Sequence, residues 1–159
     1  MTHAINIEKL LTEYAPFLAR IVAIHEANPS LREDLLQEIS LAVWRALESY
    51  RGEASIKTFV ARIAHNRGVD HVLRETRRND SINDLQSVDE LPTTMTQANN
   101  DMQLDFISAL YRLPLGYRQV ITMQLEGFTQ AEIGEVLGLN ESAVAKRASR
   151  ARQQLEKLF

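Results

Sequence analysis

Cysteine is absent from the 159 residues, which excludes disulfides and thiolate metal sites and fits a reducing compartment. No apolar run approaches the ~18 residues that span a bilayer, so no membrane partner is expected. The opening MTHAINIEKLL has no basic region followed by an apolar core; no secretory signal is expected, and the expected location is the cytoplasm. HExxH, a P-loop, a Gly-rich phosphate loop and a nucleophile elbow are all missing. Histidines number four. His65 and His71 are six residues apart, diverge by about 240° on one helix and cannot share a metal, and Asp70 and the His25-Glu26 pair complete no catalytic set. No enzyme, metal or cofactor is expected.

Alternating strand patterns are also lacking, and what remains is helical. Leu10/Leu11, Tyr14, Phe17/Leu18 and Ile21/Val22 mark an amphipathic helix over 5–27. Pro29 breaks it, and Ser30 with Glu33 reads as a capping box for a helix over 31–50, whose core side is Leu35, Leu36, Ile39, Val43, Ala46 and Leu47. A loop over 51–55 leads, with Ser55 or Thr58 as cap, into a third helix to about Arg78. The stretch NDSINDLQSVDELPTTMTQANN, 79–100, has the composition of a linker. Helices over 101–113 and 117–126 follow, separated at Pro114. The expected fold is all-α: two small helical modules, 1–78 and 101–159, joined by an acidic linker, the second ending in a helix-turn-helix.

The formal charge of −3 conceals a segregation. Residues 1–50 carry four Lys/Arg against seven Asp/Glu, 51–78 seven against three, 79–105 none against six, and 106–159 seven against five. Two basic blocks flank an acidic one, as two nucleic-acid-facing modules with a phosphate-avoiding connector would require.

The densest signal is TQAEIGEVLGLNESAVAKRASRARQQL, 129–155. Thr129 and Glu132 form a capping box, Ile133, Val136 and Leu137 an apolar face, Gly138 a left-handed stop, and Asn140 the cap of a second helix. At 100° per residue, Ala148, Ala151, Leu155 and Leu158 fall within about 40° of Val144. Ser142, Lys146, Ser149, Arg150 and Gln153 fall on the opposite side. Small donors and cations on one face suit a helix entering the major groove. The competing reading is a helical hairpin with a solvated basic face, but the turn is short, Gly134 and Gly138 permit close crossing, and the cations gather on the second helix only.

In the first module, Tyr50 and Phe59 bracket a loop with Arg51 and Lys57, the mixture that stacks unpaired bases and holds their backbone. Arg62, Asn66, Arg67, Asp70 and Arg74 follow at helical spacing. Taken without the helix-turn-helix, these residues read better as ordinary core, Tyr50, Phe59 and Ile63, with the arginines on a solvated face.

Together with Asp34-Leu-Leu-Gln-Glu38, Trp44 and RIAHNRGVDHVLRE at 62–75, the two blocks resemble bacterial RNA polymerase sigma factors, most closely the small extracytoplasmic-function (ECF) group, over roughly 10–159. The resemblance implies that Asp34, Gln37, Glu38 and Trp44 dock on core RNA polymerase. It implies that Tyr50–Phe59, with Arg51 and Lys57, captures an unstacked base of the melted upstream promoter element, while Arg62, Asn66, Arg67, Asp70 and Arg74 grip that element. Ser142, Lys146, Arg147, Ser149 and Arg150 match the helix that reads the distal promoter element as duplex. The acidic stretch resembles the connector along the RNA-exit path, and an anti-sigma factor is a further partner common in the family. Ile56 and Phe59 stand where Phe and Trp are frequent, Glu75 interrupts the basic run, and Gly134 replaces a usual Ala at about 1 kcal/mol of helix propensity. Rival readings are a stand-alone helix-turn-helix regulator, which leaves 1–78 without a role, and a structural helical adaptor, which leaves the two cationic blocks unexplained.

Overall fold

The computed structural model describes residues 6–79 and 106–158, and no strand occurs among them. The acidic stretch 79–100, apart from Asn79, and residues 101–105 of the expected fourth helix lie outside the described residues. The chain divides into two compact units, Met1–Val72 and Leu73–Phe159.

In the first unit, α1 (Ile7–His25) starts where the Asn6 side chain accepts from the Lys9 backbone N–H at 3.1 Å. A single 3₁₀ turn, Pro29–Leu31, precedes α2 (Arg32–Leu47). The expected Ser30/Glu33 capping box does not form. Asn28 instead caps the 3₁₀ turn, its Oδ1 accepting from the Ser30 N–H at 3.0 Å and from the Ser30 hydroxyl at 2.8 Å, and α2 begins at Arg32, one residue later than expected, with no side-chain cap. The helix α3 (Ile56–Asn79) is capped by Ser55, whose Oγ accepts from the Thr58 N–H at 3.1 Å.

Core side chains come from Leu10, Phe17, Leu18, Ile21 and Val22 of α1, Leu35, Ile39, Val43 and Leu47 of α2, and Val60, Ala61 and Ala64 of α3. Leu36 and Ala46 are only half-buried. The α1 end meets α3 at Gly68, where an added Cβ would sit 2.5 Å from the His25 ring. That contact needs the bare backbone.

In the second unit, α4 (Phe106–Leu110) ends three residues before the expected end at 113, beside a side chain that comes from eight residues on. Arg118 of α5 (Leu115–Leu125) is buried, its Nε donating to the Leu110 carbonyl at 3.2 Å and its Nη2 to the Leu113 carbonyl at 3.3 Å. Its guanidinium lies 4.3 Å from the Tyr111 ring centroid, and burial pushes its pKa down to about 10. A planar fork can satisfy two carbonyls at once, here that of the last α4 residue and that of Leu113 in the turn before Pro114, so the exit from α4 is held from α5.

The final pair is α6 (Gln130–Leu137) and α7 (Glu141–Glu156). Both halves of the Thr129–Glu132 capping box are present, at 2.8 and 3.1 Å. Gly138 caps α6 at φ 72°, and Asn140 Oδ1 accepts from the Ala143 N–H at 2.8 Å. A Cβ on Gly134 would lie 2.4 Å from the Leu139 carbonyl oxygen, so the glycine is what lets the turn fold back on α6. Val144, Ala148 and Ala151 are buried as the angles required, while Leu155 and Leu158 are half-buried.

Candidate nucleic-acid and protein interfaces

On α7 the polar face is outward: Ser142, Lys146, Ser149 and Arg150 are exposed, and Arg147 is half-buried. The packing cause is the inward stripe of Val144, Ala148 and Ala151, none larger than valine, which seats α7 against α5 and α6 and turns Lys146 and Arg150 to the other side. Arg152 Nη1 donates to Gln124 Oε1 at 3.2 Å, tying α7 to α5. Between α5 and α7 lies a polar concavity of about 350 Å³ lined by Tyr117, Asn140, Ser142, Lys146, Arg147 and Arg150, with Ala143. Tyr117 has no signal in sequence, because it belongs to a different helix.

On α3, Arg62, Asn66, Arg67, Asp70 and Arg74 are all exposed and share a sector of about 140° at 100° per residue. Val60, Ala61, Ala64 and Gly68 turn inward.

The loop between α2 and α3 is held more firmly than sequence alone suggested. Tyr50 and Phe59, expected to bracket it, are packed on each other, ring centroids 4.8 Å apart and tilted by 54°. The Tyr50 hydroxyl donates to the Ala54 carbonyl, closing the loop that Gly52 turns at φ 83°. Lys57 Nζ lies 5.6 Å from the Phe17 ring centroid, drawn onto α1 by cation–π attraction. Both rings are half-buried, whereas Arg51 is exposed.

The α2 surface is more apolar than its acidic sequence implied. Asp34 and Gln37 are exposed and Glu38 is half-buried, but Trp44 is 38% and Leu41 50% exposed. With Leu11, Glu33, Leu36, Gln37 and Ser40 they line a groove of about 490 Å³ between α1 and α2. Leu41 was legible as an apolar residue off the 35/39/43/47 stripe; Leu11 was absorbed into the expected core.

Among the described residues, His25, His65 and His71 make contacts within the fold. His65 is buried against His25, rings 5.3 Å apart, and burial, with His25 adding to it, holds its pKa well below the ordinary value. His25 Nδ1 lies 2.8 Å from the Ile21 carbonyl, and His71 Nε2 lies 2.6 Å from Glu26 Oε1. Among the described residues no group of three His, Cys, Asp or Glu is placed to hold a metal, and no helix is long and apolar enough to cross a membrane.

Comparison with known proteins defines the class. Residues 10–78 match the Sigma-70 region 2 family and residues 103–155 the Sigma-70 region 4 family. The RNA polymerase sigma factor CarQ of Myxococcus xanthus is 30% identical over 161 residues, covering 96% of this chain and 88% of CarQ. The ECF RNA polymerase sigma factor SigM of Mycobacterium tuberculosis is 26% identical over 153 residues, covering 96% and 76%. In fold, the chain is similar to the sigma factor RpoE of Bartonella quintana, with TM-score 0.74, 23% identity and coverage of 95% and 94%. These are transcription-initiation factors rather than enzymes. The chain belongs to the ECF group of RNA polymerase sigma factors. A stand-alone regulator gains no support, since the region 2 match takes in the residues it leaves idle.

Proposed function

We propose that three surfaces share the work of promoter opening, within modules at 1–78 and 101–159 joined by the acidic linker 79–100. The α7 face, Ser142, Lys146, Arg147, Ser149 and Arg150, reads the distal promoter element as duplex. The α3 ridge with the Tyr50–Phe59 loop takes the melted element, Arg62, Asn66, Arg67, Asp70 and Arg74 meeting its backbone and edges. The α2 surface, Asp34, Gln37, Glu38 and Trp44 widened by Leu11 and Leu41, docks core RNA polymerase in the cytoplasm. Its acids repel phosphate and its apolar groove suits a protein partner. An anti-sigma factor is a further partner on this reading: the solved Bartonella quintana RpoE is held by the anti-sigma factor NepR, and CnrH by the cytosolic domain of CnrY.

The observation that carries this reading is the division of α7, with Val144, Ala148 and Ala151 inward and Lys146, Ser149 and Arg150 exposed. Melting without a nucleotide motor needs binding energy available only to the opened strand; base stacking on an aromatic returns about 1–3 kcal/mol per base, and cations add to it. In vitro transcription with core polymerase on genomic DNA, mapping start sites, should give discrete promoters sharing two elements. Tight, sequence-specific duplex binding by the protein without polymerase would overturn this division of labour.

A further inference from the structure

Tyr117, which lines the polar concavity beside α7, has no role in the reading above, and its position beside that helix gives it one. Measured from the buried Val144 at 100° per residue, Arg147, Arg150 and Lys146 lie at about −60°, −120° and −160° and Ser142 at about 160°, so the concavity runs from one flank of α7, at Arg147 and Arg150, onto its outward face. Ser149 and Gln153, at about 140° and 180°, do not line it. A helix is about 10–12 Å across with its side chains and the major groove about 12 Å wide, so the centre of the outward face meets base edges and a flank meets the sugar–phosphate wall. None of the lining residues is acidic, three are cationic, and Tyr117 and Ser142 bring hydroxyls. Tyr117 reaches this flank from the first turn of α5, the helix packed along α7.

Resting on the assignment of α7 to duplex promoter DNA, we propose that this flank seats one phosphodiester of the strand bordering α7, its oxygen accepting from the Tyr117 hydroxyl beside Lys146 and Arg147. Tyr117 is then a positioning contact: it fixes the register of α7 in the groove and carries no base information itself.

The test uses the full chain with core polymerase and a promoter duplex taken from the start-site map, with single methylphosphonates scanned along both strands of the distal element. Tyr117→Phe keeps the ring and removes only the hydroxyl. It should weaken binding about fivefold, the scale of one lost hydrogen bond, equally for good and poor distal sequences. One methylphosphonate position should weaken the native protein more than the variant, which has already lost its hydrogen bond to that phosphate and keeps only the cation contacts. A Tyr117→Phe protein that binds as tightly as the native one, or that loses affinity equally at every substituted phosphate, overturns the seat. Lys146→Ala and Arg150→Ala separate the two levels. If both weaken distal-element binding while Tyr117→Phe does not, the seat alone is wrong; if neither weakens it, the duplex-reading role of α7 fails, and the seat with it.

Discussion

The carbonyl oxygen of Leu139 stands 2.4 Å from where a Cβ on Gly134 would be, so the turn between α6 and α7 closes directly onto the α6 backbone. The obstructing atom belongs to the main chain, which cannot swing aside as a long side chain could. Gly134→Ala should therefore destabilise the protein despite alanine's advantage of about 1 kcal/mol in helix propensity. A net loss of about 1–3 kcal/mol, the usual range for overpacking, is expected in urea unfolding, together with weakened promoter binding in the holoenzyme. A variant more stable than the parent would show the turn to be looser than this.

The same glycine shows what sequence can and cannot reveal. Its propensity cost was visible; the reason for accepting that cost was not, because the Leu139 carbonyl is placed by the turn rather than by local pattern. Signals confined to one helical turn were read directly: Thr129 with Glu132, Gly138, Asn140, and the inward Val144/Ala148/Ala151 stripe. Ser30 with Glu33 fits the same pattern, but Asn28 competed for the same backbone donor and held it. Contacts between elements stayed hidden. Arg118 of α5 bonds the last carbonyl of α4, Glu26 meets His71 45 residues away, and Leu11 joins Leu41 and Trp44 across two helices. A linear pattern carries the face a residue occupies and says little about its neighbour from another helix.

Acid should weaken the first unit through His65. Its folded pKa is depressed by burial, while in the unfolded chain it titrates near 6.5. Between those two values the unfolded state binds the extra proton, so stability is full above about pH 6.5 and falls as pH drops towards the folded pKa. This single site gives a slope of about 1.4 kcal/mol per pH unit in that window. Denaturant unfolding of the native protein and of His65→Gln at pH 7.5 and 5.5 should show the smaller acid loss in the variant; equal losses would assign the pH dependence to other groups.

Leu41 and Trp44 expose apolar surface that contributes little to the core, so their removal should separate docking from folding. Leu41→Gln and Trp44→Ala are each expected to leave stability within about 0.5–1 kcal/mol of the native value. Aromatic anchors in protein interfaces commonly carry about 2 kcal/mol or more, so Trp44→Ala should weaken binding to core polymerase about 30-fold. Competition for core polymerase measures this directly. Unchanged affinity in both variants would place the docking surface elsewhere.

On the proposed reading of the loop, Tyr50 links loop closure to strand opening. Its hydroxyl holds the Ala54 carbonyl and its ring rests on Phe59, so Tyr50→Phe keeps the aromatic pair and releases only the loop. A stability loss of about 0.5–1.5 kcal/mol is expected from one hydrogen bond. Closed-complex binding should be nearly unchanged, because Arg62, Asn66 and Arg67 remain on the α3 surface. Open-complex formation, followed by permanganate reactivity of unpaired thymines, should slow, because the loop must be ordered before it can hold an extruded base. A template carrying a mismatched bubble at the melted element removes the cost of opening and should restore most of the lost transcription. If the bubble gives no rescue, the Tyr50 hydroxyl acts on a step other than melting.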